Sequence, residues 1–155
     1  MNTILFCPPR SGNFWNMRGR LLLEMIKNNL RVIVLLPRNK DFEKEVLMLK
    51  EKNISVYTAP FKRNKFALLS TFIYAMVFCY VCKKENVKSV ISYTLKPIFI
   101  CSFLSSVIGI KNRIGVFTGL GNSLADSLER NNLLSKVVIF FLRIILRFPK
   151  KIIVQ

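Results

Sequence analysis

Short apolar runs alternate along the chain with longer stretches whose apolar positions recur every three or four residues. The runs Asn2–Cys7, Arg31–Leu36, Ile54–Ala59, Lys88–Ser92 and Asn112–Phe117 are rich in Val, Ile, Leu and Phe. They read as strands buried on both faces. Pro37 closes the second and Pro60 the third, and Lys151–Gln155 begins a sixth. Between them the spacing predicts helices over Met17–Asn29, with Leu21, Leu22, Met25 and Ile26 on one face, and over Asp41–Lys52, capped by Asp41. Further helices are predicted over Phe66–Glu85, from Pro97 to about Gly109, and over Asn132–Phe148. Strand–helix alternation with buried parallel strands gives an α/β fold, a Rossmann-like doubly wound sheet. With strand order 3-2-1-4-5-6, the switch point falls between the first and fourth strands.

Ligands of such sheets bind beyond the carboxyl ends of the strands, beside that switch point. Three segments fall there. The loop Pro8–Asn16 holds Ser11, Gly12 and Asn13, whose donors at a helix N-terminus suit an anion or form an ordinary turn. Tyr93-Thr94-Leu95-Lys96-Pro97 follows the fourth strand, and Lys96 is either a point charge for a phosphate or carboxylate or a solvated lysine. Thr118-Gly119-Leu120-Gly121-Asn122 follows the fifth, where two glycines permit close approach of a ligand or a tight turn. The first loop lacks the G-x-G-x-x-G dinucleotide fingerprint, and no acidic residue ends the second strand.

Charge and hydropathy change the expected partner. The chain has 155 residues, 25 Lys and Arg against 8 Asp and Glu, and is 52% hydrophobic. Its mean hydropathy is +0.35. Basic and apolar together point to an anionic membrane surface. No zinc-finger spacing, RNA-recognition motif or helix-turn-helix supports a nucleic-acid partner. With no histidine, the commonest general base and metal ligand are absent, and no metal or cofactor is expected. Cys7, Cys79, Cys82 and Cys101 all lie in apolar stretches, as buried thiols of a reducing compartment do. Cys79-x-x-Cys82 sits inside an apolar run, not at the start of a helix, which reads as packing rather than redox chemistry.

Two segments bear on a membrane. Lys136, Arg143, Arg147 and Lys150 share one face of the last helix, whose other positions are almost all apolar. That suits a helix in the membrane interface or a core helix with one wet face. Phe66–Cys82 is an uncharged run flanked by Lys62-Arg63-Asn64-Lys65 and Lys83-Lys84, at the lower length limit for a spanning helix. A buried or membrane-leaning helix and a true span both fit. The second makes the chain a small non-catalytic membrane protein with one span at 66–82.

The motifs Asn13-Phe14-Trp15-Asn16-Met17-Arg18, Tyr93-Thr94-Leu95-Lys96-Pro97 and Thr118-Gly119-Leu120-Gly121, with the terminal Ile153-Val154-Gln155, resemble the N-terminal half of glycosyltransferase family 4 enzymes. These have the GT-B fold, and the resemblance is to bacterial types that build O-antigen, capsule or other lipid-linked glycans. It covers the whole chain. Asn29-Leu30 stands where Gly-His is usual, Ile98 and Cys101 replace an Asn and a Gly, and Asn122 replaces an aromatic. The resemblance implies the acceptor-side domain of a retaining, metal-independent transferase. Such an enzyme moves a sugar from a nucleotide-sugar to a polyprenyl-diphosphate-linked acceptor at the cytoplasmic membrane face. It implies substrate contacts from Ser11, Gly12, Asn13, Asn16, Arg18, Tyr93, Thr94, Lys96, Thr118, Gly119, Gly121 and Asn122. No residue of the chain is assigned a catalytic role. The family's second Rossmann-like domain, which binds the donor, has no counterpart in the 155 residues, and the expectation is no turnover by this chain alone.

Overall fold

The computed structural model describes residues 2–39, 42–61, 67–117, 143 and 147–154. Its elements are β1 (Thr3–Cys7), α1 (Phe14–Lys27), β2 (Arg31–Pro37), α2 (Phe42–Glu51), β3 (Ser55–Ala59), α3 (Ala67–Lys84), β4 (Ser89–Tyr93), α4 (Leu95–Val107), β5 (Asn112–Phe117) and β6 (Lys151–Val154). One six-stranded sheet has the order β3-β2-β1-β4-β5-β6, and every pairing is parallel. The expected doubly wound order is the one found. The expected helix Asn132–Phe148 lies outside the described residues apart from Arg143, Arg147 and Phe148.

Strand side chains point alternately to the two faces, so each face has its own core. Ile4 and Phe6 of β1 meet Phe14 and Leu22 of α1 and Leu49 of α2. Leu5 and Cys7, on the opposite face, meet Tyr74, Phe78 and Val81 of α3 and Cys101 of α4. Gly115 of β5 lets α4 come close: a Cβ there would sit 3.2 Å from the side chain of Ile98.

Each of the four helices ends in the same way. A residue with left-handed φ (Asn29, Asn53, Asn86 or Gly109) is followed by an apolar residue (Leu30, Ile54, Val87 or Ile110). The N–H of that apolar residue donates back to the last helical turn, at Met25, Leu49, Cys82 and Ser105 respectively. This satisfies orphan carbonyls and turns the chain toward the next strand. Asn29 fills the role glycine often fills in such a cap.

α3 is the helix whose length and apolarity fit a membrane crossing. In this fold one face of it packs into the core, where Tyr74, Phe78 and Val81 are fully buried, and its other face is exposed. Withdrawing it into a bilayer would expose that cluster. The Cys79 and Cys82 thiols lie in the last two turns of α3, not at a helix start, and burial pushes both thiol pKa values up, away from redox reactivity.

Candidate functional site

At the switch point the carboxyl ends of β1 and β4 lie side by side, with Cys7 opposite Ser92. The chain leaves β1 through Pro8 and Pro9 and turns at Gly12 and Asn13, which have φ of 79° and 67°. Two successive left-handed residues reverse the loop, and α1 starts directly after them at Phe14. The helix thus begins three residues earlier than the apolar spacing predicts, and Asn16 and Arg18 are helical residues of its first two turns. Asn13 is the N-cap, but its side chain does not cap the helix. Its Oδ1 accepts from Asn16 Nδ2 at 2.8 Å.

A cleft of about 470 Å³ opens here, lined by Arg10, Gly12, Asn13, Arg18, Tyr93 and Thr94 together with Pro8, Pro9, Phe14 and Met17. Phe14 and Tyr93 line its floor, above the fully buried Phe6. Phe6, Phe14 and Tyr93 form a triangle with ring centroids 6.3–6.4 Å apart. The Arg18 guanidinium carbon lies 5.0 Å from the Tyr93 ring centroid, in cation–π contact. Burial raises the Tyr93 pKa, and Arg18 pulls it partly back. The phenol therefore stays protonated at neutral pH and is a donor, while Arg18 supplies the positive charge. That pair suits a phosphate or diphosphate lying over an apolar floor.

Thr94, on the cleft wall, has φ 65° and ψ 159°. A β-branched residue there is strained, since that region is populated essentially by glycine. The conformation is held by its N–H, which donates to Val116 O at 3.1 Å, and by its carbonyl, which accepts from Ile98 N at 3.0 Å. Strain of this kind concentrates at functional sites.

Not every expected residue joins the cleft. Lys96 is the second residue of α4, and its Nζ lies 4.4 Å from the Phe61 ring centroid, beyond the end of β3. Ser11 is buried beside the cleft, and its hydroxyl has no hydrogen-bond partner among the described residues. Thr118, Gly119, Gly121, Asn122 and Lys136 lie outside the described residues. Arg143, Arg147 and Lys150 are exposed.

Sequence reading missed two residues at the mouth of α1. Glu45 of α2 is buried and accepts a hydrogen bond from the Trp15 backbone N–H. A carboxylate therefore occupies one orphan donor of the helix N-terminus. Trp15 packs along α1 over Gly19, where a Cβ would come within 2.9 Å of the indole. A second hollow, of about 420 Å³, lies between α1 and α2 and is lined by Trp15, Asn16, Lys44 and Glu45 among others. The signal for Glu45 was its position four residues before the buried Leu49, on the inner face of α2. A larger hollow of about 490 Å³ sits at the opposite end of the central strands, among Asn86, Val87, Gly109 and Ile110. It lies at the amino ends of the strands, away from where such sheets bind ligands. Among the described residues no group of three His, Cys, Asp or Glu stands together as a metal site.

No family model and no curated protein matches this chain. Solved structures do match in fold. MurG from Acinetobacter baumannii superposes with a TM-score of 0.64 at 13% identity, over 99% of this chain and 40% of that one. UGT89C1 from Arabidopsis thaliana, complexed with UDP, gives 0.61 at 9% identity, over 99% and 42%. A putative UDP-N-acetylglucosamine 2-epimerase from Listeria monocytogenes gives 0.55 at 12% identity, over 88% and 38%. The chain spans about two fifths of the length of each, and the shared feature is the Rossmann-like half of a GT-B architecture.

Proposed function

We propose that this chain is the acceptor-side half of a GT-B glycosyltransferase of family 4 type, acting in bacterial surface polysaccharide synthesis at the cytoplasmic face of the membrane. A nucleotide-sugar, held by a second Rossmann-like unit, donates to a polyprenyl-diphosphate-linked glycan held here. In the transfer the anomeric carbon's bond to the nucleoside diphosphate breaks and a bond to an acceptor hydroxyl forms. The hydroxyl proton is released, and the nucleoside diphosphate leaves with the bonding pair. The 155 residues alone are not expected to turn over.

The observation that carries this reading is the cleft at the switch point, where Arg18 and the protonated Tyr93 phenol stand over an aromatic floor. It combines a charge for a diphosphate with apolar surface for the first isoprene units. Two of the motifs that resemble family 4, Asn13–Arg18 and Tyr93–Pro97, lie at the same strand ends. The fold neighbours support a GT-B half, and one of them is complexed with UDP.

The test is titration of the chain with farnesyl diphosphate, a short polyprenyl diphosphate. Saturable binding that Arg18→Ala weakens roughly tenfold, the effect of losing one charge-assisted contact of about 1.4 kcal/mol, supports the reading. No binding, or equal binding by the variant, overturns the assignment of the cleft. Fusion to a donor-binding unit and assay of sugar transfer then tests the activity: Arg18→Ala should lose most transfer, and Lys88→Ala, beside the amino end of β4, should keep it.

A further inference from the structure

Carboxylates are unevenly spread along the chain. Five of the 8 carboxylates, Glu24, Asp41, Glu43, Glu45 and Glu51, belong to residues 1–51, the α1 and α2 part of the chain. Residues 52–125, the part holding α3 and α4, carry one carboxylate against ten Lys and Arg. That carboxylate, Glu85, is already engaged. It pairs with Arg31 at 2.6 Å and accepts from the Tyr57 hydroxyl.

α3 has apolar residues on both of its sides. Tyr74, Phe78 and Val81 fill the core, while Leu68, Phe72, Met76 and Tyr80, spaced by four, form an outward ridge. Their exposures are 87%, 63%, 58% and 56%, and Leu69 and Ile73 widen the ridge. A continuous exposed apolar patch of this kind marks an interaction surface. Lys83 and Lys84, both exposed, end the ridge, and Lys62, Arg63 and Lys65 precede the helix in sequence.

We propose that the outer face of α3 is the surface by which the chain docks on an anionic lipid bilayer. The Leu68–Tyr80 ridge enters the acyl boundary, and Lys83 and Lys84 lie at headgroup level. The helix lies flat and keeps its inner face in the core. The proposal moves the membrane contact from the Lys136, Arg143, Arg147 and Lys150 stripe to α3. It rests on the membrane-side reading given above. Its test reads no sugar transfer or diphosphate binding, so its failure leaves the cleft assignment standing.

The experiment uses the full chain with phosphatidylcholine vesicles, with and without phosphatidylglycerol. Expected is salt-sensitive binding to the anionic vesicles that falls at least tenfold in Phe72→Glu/Met76→Glu, with the circular dichroism melt unchanged. Lys83→Ala/Lys84→Ala should weaken binding severalfold at low salt. Phe72→Trp should show blue-shifted emission quenched by brominated acyl chains, whereas Trp15 of the parent chain should not. Undiminished binding by the double Glu variant, or no quenching of Phe72→Trp, overturns the proposal. So does self-association without vesicle binding that the same Glu variant abolishes, which would assign the ridge to a second copy of the chain.

Discussion

The carboxylate of Glu45 sits on the backbone N–H of Trp15, thirty residues earlier in the chain. It ties α2 to the first turn of α1 and does what the N-cap side chain of Asn13 does not. Because Glu45 is buried, its loss removes a charge-assisted bond and leaves a donor unmatched. Glu45→Ala should lower unfolding stability by about 1–3 kcal/mol. Glu45→Gln, which keeps an acceptor, should lose less. Denaturant unfolding checks both, and an unchanged midpoint for the Ala variant would remove the bond from the stability argument.

Thr94→Gly should stabilise the chain. Relief of a φ 65°, ψ 159° conformation is worth about 1–3 kcal/mol, against a glycine entropy cost of about 1 kcal/mol. Thr94→Val keeps the β-branch and should show no such gain. If Gly proves the less stable of the two by chemical denaturation, the strain at this position is not real.

Gly19→Ala places a methyl group 2.9 Å from the Trp15 indole. In an open helix Ala would gain about 1 kcal/mol over Gly. Here the indole has to move, so most of that gain should vanish and the emission should shift. The chain has one tryptophan, so the spectrum reads this site alone. An unshifted spectrum with the full stability gain would contradict the packing.

Stability should fall as pH rises above about 9. Burial raises the Cys7 and Cys82 thiol pKa values in the folded chain, while unfolded thiols ionise near 9.0. The folded state then binds more protons than the unfolded one, so unfolding free energy decreases with pH. Tyr74 and Tyr93, also raised by burial above 10.0, extend the trend. Cys82→Ala should flatten the thiol part of the slope. Thiol reagents should meanwhile leave Cys7 unmodified until the chain unfolds. Rapid native labelling of Cys7 would refute its burial.

The sheet was legible because its strands are near-continuous apolar runs between helices of clear period, with turn residues at the joints. Helix starts were not. Phe14 and Trp15 follow Pro, Ser, Gly and Asn and look like loop, and the group that lets α1 begin there is Glu45, a partner distant in sequence. By contrast, the start of α2 was legible: the helix expected from Asp41 is described from Phe42. At the site, Arg18 and Tyr93 were named as separate contacts, but their stacking depends on where β4 and α1 meet. Lys96 was expected in the same crevice. Helix α4 starts at Leu95, two residues before Pro97, and the lysine reaches Phe61 instead. Residue type predicts a candidate contact, whereas the direction of a side chain at a strand end depends on backbone turns such as the one at Thr94.

The parallel topology sets an order of assembly. No described strand can pair with the next by a tight hairpin, since each pairing needs a crossover helix first. As the chain leaves the ribosome, β1, β2 and β3 can associate while one edge of β1 waits. That edge is completed only when Ser89–Ser92 arrive to pair with Ile4–Cys7. The seam closed by this late pairing is the floor of the cleft. Phe6 and Phe14 stay without Tyr93 until then, and loop closure of this span makes the step slow. A nascent chain stalled before β4 would hold half of a binding cleft, and formation of the cleft would report completion of the sheet at β1.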